Sequence, residues 1–201
     1  MSAGKNLAGP GSTVVRTGRL GWSAYARIYA AIVDKALTHV EVGDYVRCGP
    51  QSVREILWRM EHMRLIHVET WCRHEKGRGP WAARFRAGDG DSAPYPNDTA
   101  VDVPGASLAA KNPRPELISF ACIMRVLQDG ATRSDIMEQT GCSHSNLSKL
   151  LQTMKGLGIV RISAWQRRED ECGQPAEVLQ LGSGRNASRP APISDAEKGR
   201  R

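Results

Sequence analysis

Apolar residues recur at spacings of three and four in two stretches of the chain. Val53, Ile56, Leu57 and Met60 form one stripe, and Leu147, Leu150, Leu151 and Met154 form another. That spacing lines up one face of a helix and predicts its burial against a core. Apolar–polar alternation follows each stripe, M-R-L-I-H-V-E-T-W in the first and L-G-I-V-R-I-S-A-W in the second, and predicts a strand. A Gly-containing turn comes next (H-E-K-G-R-G-P, then R-E-D-E-C-G-Q-P), and a returning strand ends each stretch, R-F-R-A before Gly88 and V-L-Q-L before Gly182. Upstream, a first helix is predicted from Ser23 to Ala36 with Ile28, Ile32 and Val33 inward. Its counterpart runs from Glu116 to Gln128 with Ile123, Val126 and Leu127 inward. A short second helix follows Thr38 and Thr132, whose hydroxyls can accept a backbone N–H at a helix start. Gly141 ends the later of the two, and Arg47-Cys48-Gly49 occupies the same turn in the earlier. Pro50 suits the first position of the third helix, and Ser143 suits the cap of its counterpart.

These are one pattern written twice. Cys48 meets Cys142, Leu57 meets Leu151, Met60 meets Met154, Trp71 meets Trp165 and Arg73 meets Arg167, all at an offset of 94 positions (48 to 142) without a gap. Self-similarity at a fixed period sets the architecture before any other feature. Two units are therefore expected, at 21–88 and 115–182. Residues 1–20 and 183–201 read as disordered tails, because their polar, small-residue composition buries little apolar area. Residues 89–114, rich in Gly, Pro, Asp, Ser and Ala, read as a flexible linker. About 25 such residues reach roughly 25–30 Å.

Three helices followed by a two-stranded hairpin is the winged helix-turn-helix layout, so an α+β fold, mostly α, of two tandem winged-helix domains is expected. The stretch S-N-L-S-K-L-L-Q-T-M-K-G-L-G-I-V-R-I (Ser145–Ile162) resembles the recognition helix and first wing strand of MarR-like bacterial and phage regulators. T-R-S-D-I-M-E-Q-T-G-C-S, just before it, resembles their second helix and turn. The first copy departs from the pattern at Gly43, inside its second helix, and at Arg64, where the second copy has Gly158. The resemblance implies DNA binding with the third helix in the major groove, its N-terminal half toward base edges.

Subtracting the buried stripe leaves the outward residues of each third helix. In the first copy these are Gln51, Ser52, Arg54, Glu55 and Arg59; in the second, His144, Ser145, Asn146, Ser148, Lys149 and Gln152. Gln and Asn pair bidentately with adenine and Arg with guanine, whereas Ser and Lys more often hold phosphate. Arg54 and Asn146 are the foremost candidates for base contact. The hairpin tip of the first copy carries Arg73, His74, Lys76 and Arg78, a basic wing suited to the backbone or minor groove. The second has Arg167 and Arg168 beside Glu169, Asp170 and Glu171, an acidic run that repels phosphate and suits a protein partner. The shared register of Trp71 and Trp165 points to packing on the wing strand rather than base stacking.

Charge agrees with an anionic partner without identifying one. The net charge is +7. Residues 22–86 carry eleven Lys/Arg against seven Asp/Glu, and residues 114–182 carry eight against eight, so the first unit is the more evident polyanion binder. Five cysteines without a framework spacing read as reduced thiols in a cytosolic protein. The N-terminal stretch, interrupted by Gly, Ser, Thr and Arg, lacks the apolar run of a signal segment, and no stretch of the given sequence is apolar over a membrane-spanning length, so neither a leader nor a membrane span is expected. His62, His67, Cys72 and His74 crowd one region, but their spacing is not that of a zinc site and the second copy lacks them, so no metal or cofactor is expected. No Walker loop, H-E-x-x-H or G-x-S-x-G occurs, and no enzymatic activity is expected.

The expected function is sequence-specific double-stranded DNA binding by a bacterial or phage transcriptional regulator in the cytoplasm, at the nucleoid. Two units on one chain imitate a dimer on half-sites about 34–36 Å apart. Two alternatives stay open. One is a plasmid or phage replication-initiation or partition factor. The other is a winged-helix protein-interaction module in a chromosome-segregation complex, with the second unit as the docking part. Self-association into a homodimer is likewise open; no membrane partner is expected.

Overall fold

The computed structural model describes residues 21–73, 81–96, 114–167 and 174–191. The first half runs α1 (Trp22–Ala31), β1 (Leu37–Thr38), α2 (His39–Val46), α3 (Pro50–His62), β2 (Ile66–Cys72) and β3 (Ala82–Ala87). The second repeats that order as α4 (Pro115–Asp129), β4 (Ala131–Thr132), α5 (Arg133–Thr140), α6 (His144–Gly156), β5 (Val160–Gln166) and β6 (Ala176–Leu181). Among the described residues the protein is therefore α+β, with six helices and two three-stranded antiparallel sheets ordered β1-β3-β2 and β4-β6-β5.

Local chemistry sets most boundaries. Thr38 accepts the Glu41 N–H, and the Glu41 carboxylate accepts the Thr38 N–H; Thr132 and Asp135 form the same reciprocal cap. Pro50 and Pro115 occupy the openings of α3 and α4, where a missing N–H costs nothing. Ser143 stands at the start of α6 but makes no side-chain cap bond. Helix α1 stops at Ala31, short of the expected Ala36, because the chain must turn into β1.

The short strands β1 and β4 are too brief to show a period. Each pairs with the returning strand of its hairpin, Leu37 opposite Phe85 and Ala131 opposite Leu179, and makes the hairpin a three-stranded sheet. The register of each hairpin slips at one residue, between Val68 and Thr70 and between Ile162 and Ala164, so even the irregularity repeats.

The repeat extends past Gly88 and Gly182, into stretches whose composition reads as linker and tail. Ser92 Oγ accepts the Val68 N–H at 3.1 Å, and the Ala93 N–H donates to Val68 O at 2.7 Å. Asn186 Oδ1 and the Ala187 N–H do the same to Ile162, at 2.8 Å each. The indole N–H groups of Trp71 and Trp165 donate to Ala93 O and Ala187 O, which is the shared job of these two tryptophans. Tyr95 meets Trp71 edge-on, and in the same register the Arg189 guanidinium lies over Trp165. Each unit thus carries a backbone strap along its outer strand. This corrects the expectation of flexible chain at 89–96 and of disordered chain at 183–191. The rest of the expected linker and tails, 97–113, 1–20 and 192–201, lies outside the described residues.

Nor are the two units separate bodies. Their buried side chains form a single apolar cluster. Helix α1 packs against both α4 and α6 of the other unit. Tyr25 (1 % exposed) and Phe120 (0 %) meet at this seam with ring centroids 5.9 Å apart. Arg125 Nη2 of α4 donates to the Met63 carbonyl at the end of α3, at 2.9 Å.

Candidate nucleic-acid interface

Helix α6 has two faces. Leu147, Leu150, Leu151 and Met154 are buried, while His144, Ser145, Asn146, Lys149 and Gln152 are exposed. The turn into α6 passes through Gly141, at φ +66°, which reverses the chain so that the polar first turns of α6 stay in solvent. Ser148 is half-buried, and its hydroxyl is out of water without a hydrogen-bond partner among the described residues.

Helix α3 is more deeply set. Gln51 and Ser52 are exposed and Arg54 is half-buried. Arg59 does not face outward as its spacing implies. It is 8 % exposed and bonds Glu55 Oε1 at 2.6 Å. Its charge acts on Tyr25 of α1, so it lies on the side of α3 that is turned toward α1. A helical period alone does not anticipate a cation that is buried and folded back on Glu55 near Tyr25. Trp58 is buried as well, edge-on to Phe85 at 5.0 Å and near Trp71, whereas its counterpart Gln152 is exposed. On α3 the exposed residues are confined to its two ends, Pro50, Gln51 and Ser52 at the start and His62 at the finish, whereas α6 is open along most of one face.

On the hairpins, Arg73 is exposed, with its guanidinium 4.8 Å from the Trp81 ring centre. Exposed Arg167 donates to Ala191 O at 2.9 Å. His74, Lys76, Arg78 and Arg168 lie outside the described residues. Other cations of the sheets are engaged: Arg84 with Glu41, Arg86 with Glu69, and Lys155 of α6 with Glu177. Burial pulls the Glu41 carboxyl upward, but bonds from the Thr38 backbone and hydroxyl and the Arg84 guanidinium outweigh it and leave it below its ordinary value. Among the described residues, Arg54 and Lys149 have no such partner, and neither does Arg47 in the α2–α3 turn.

No family model, curated protein or solved structure matches this chain. What the arrangement can do is therefore judged from its surfaces. The exposed face of α6 offers amide, imidazole, hydroxyl and ammonium groups, the types that bond base edges and phosphates. The open turns of α3 add Gln51, Ser52 and Arg54. Two exposed groups beside α3 do not belong to an outward helical face of α3 and are not foretold by its period: Tyr45, which is 63 % exposed, and Arg47. The signal available for Arg47 was its register with Gly141, a long cation where the twin has glycine.

Proposed function

We propose that each half is a winged helix-turn-helix unit and that the chain binds double-stranded DNA in a sequence-dependent way, as a transcriptional regulator. One observation carries this: α6 is sealed along Leu147, Leu150, Leu151 and Met154 and open along His144, Ser145, Asn146, Lys149 and Gln152, at the end of a helix–turn–helix and just before an antiparallel hairpin. A helix so mounted fits the major groove N-terminus first, with a hairpin beside it on the backbone. Asn146 is the residue of α6 that would read adenine, Lys149 the one that would hold phosphate, and Arg54 the one in the first unit that would read guanine. The net charge of +7 gives the sequence-independent part of the attraction.

The discriminating experiment is selection of bound duplexes from a random pool. The parent chain enriches a defined sequence. Asn146→Ala and Arg54→Ala each lose preference at one part of that site, at about 1–3 kcal/mol of discrimination per lost contact. Recovery of no preferred sequence by the parent removes the regulatory reading. Unchanged preference in both variants removes the assignment of these helices.

A further inference from the structure

Two arginines hold a backbone conformation that side chains rarely adopt. Among the described residues the non-glycine positions with positive φ are Arg47, at +56°, and Arg64, at +55°. Their counterparts in the second unit are Gly141, at +66°, and Gly158, at +72°. The second unit uses the residue that enters this region without a steric penalty; the first carries a long cation instead. A strained conformation of this kind persists where the surrounding structure enforces it, and it concentrates at sites of function.

The two positions differ in place. Arg47 closes α2 and leads through Cys48 and Gly49 into α3, beside the turns that expose Gln51 and Ser52. Arg64 follows the other end of α3, roughly 20 Å away along the helix. Arg47 is exposed, and among the described residues no carboxylate takes its guanidinium. Asp44, one turn back on α2 and also exposed, forms no ion pair with it. Tyr45, two residues earlier, exposes a large ring where the twin has Gln139. With Arg59 buried and paired with Glu55, α3 keeps only the half-buried Arg54 as a cation near its N-terminal end.

We infer that Arg47 is a phosphate-anchoring residue of the first unit, gripping the DNA backbone beside the open end of α3. The inference rests on the DNA-binding proposal above. The competing role is structural: a cation at the C-terminus of α2 also complements the helix dipole.

The test is a titration of the full chain with a mixed-sequence DNA duplex over a salt series, with melting temperatures recorded for the same samples. Parent, Arg47→Gly, Arg47→Lys and Arg64→Gly are compared. Arg47→Gly is expected to melt no lower than the parent, since glycine takes this conformation freely. It is nevertheless expected to bind about tenfold more weakly at low salt, with a salt slope shallower by about one. Arg47→Lys keeps the parental slope, and Arg64→Gly keeps parental affinity and slope. Parental binding by Arg47→Gly overturns the inference and leaves the DNA proposal standing. If that parental binding comes with a lower melting temperature, the arginine serves the α2 dipole. A parent chain that ignores the duplex at low salt overturns both.

Discussion

The paired threonines show how far one side chain can fix a local structure. Thr38 and Thr132 each complete a reciprocal cap, and Thr132 is buried, so its hydroxyl and the Asp135 carboxylate cannot be replaced by water at no cost. Thr132→Ala is expected to lower stability by about 1 kcal/mol, read from a denaturant midpoint with unchanged slope. In the first unit the cap is joined to the sheet by Arg84, whose Nη2 bonds Glu41 Oε1 at 2.9 Å. Because the Glu41 carboxyl is held below its ordinary value of 4.5, its contribution is present above that value and is lost as pH falls through the lowered one. Glu41→Gln should therefore flatten the acid side of the stability profile while leaving the alkaline side alone. An identical acid limb in the variant would show that the cap and Arg84 do not stabilise the carboxylate.

At the scale of elements, the α2–α3 turn depends on a glycine that lies outside the usual turn positions. A Cβ on Gly43 would stand 3.0 Å from the Cys48 carbonyl oxygen, a backbone atom in a turn already closed by the Cys48 N–H to Gly43 O bond of 2.9 Å. Gly43→Ala is expected to cost about 1–2 kcal/mol, strain exceeding the gain in helix propensity, because the start of α3 must shift to make room. A variant as stable as the parent would mean that the turn yields freely.

The third helices, their buried stripes, the capping threonines and the turn at Gly141 were all readable from the sequence, because period and capping chemistry are local properties. The two-residue strands β1 and β4 were not, since pairing with β3 and β6 comes from the sheet rather than from any alternation of their own. The straps were hidden for a related reason. Val68 and Ile162 hold them mostly through backbone groups that every residue possesses, so their Gly- and Ser-rich composition looks like a linker. In the candidate site, the face of α6 was readable residue by residue. Arg59 on α3 was not, because its burial beside Glu55 and near Tyr25 is set by tertiary packing that a helical period does not carry.

For the whole molecule, the continuous core changes what a two-unit chain means. A tether would let the units melt apart and sample many spacings. A shared cluster around Tyr25 and Phe120 joins them. The chain is expected to unfold in one transition, and Phe120→Ala, at about 3–5 kcal/mol, to destabilise both units together. Two separate calorimetric transitions, with only one displaced by the variant, would contradict this. Burial, with Glu116 adding to it, raises the Tyr25 hydroxyl above its ordinary value of 10.0 despite the opposing charges of Arg114 and Arg59. Tyr29 is raised as well, by burial and by Asp89. Their contribution is whole below pH 10.0 and is lost as pH climbs through the raised values. Tyr25→Phe should reduce the alkaline loss of stability without abolishing it, because Tyr29 remains.

The proposal that this molecule grips a double helix is tested most directly by anisotropy titration of the parent chain against a labelled DNA duplex at several salt concentrations. The expected result is tight binding in dilute buffer, with the logarithm of affinity falling linearly as the logarithm of salt rises, at a slope set by several displaced counterions. Absence of binding at the lowest salt, or an affinity indifferent to salt, would contradict it.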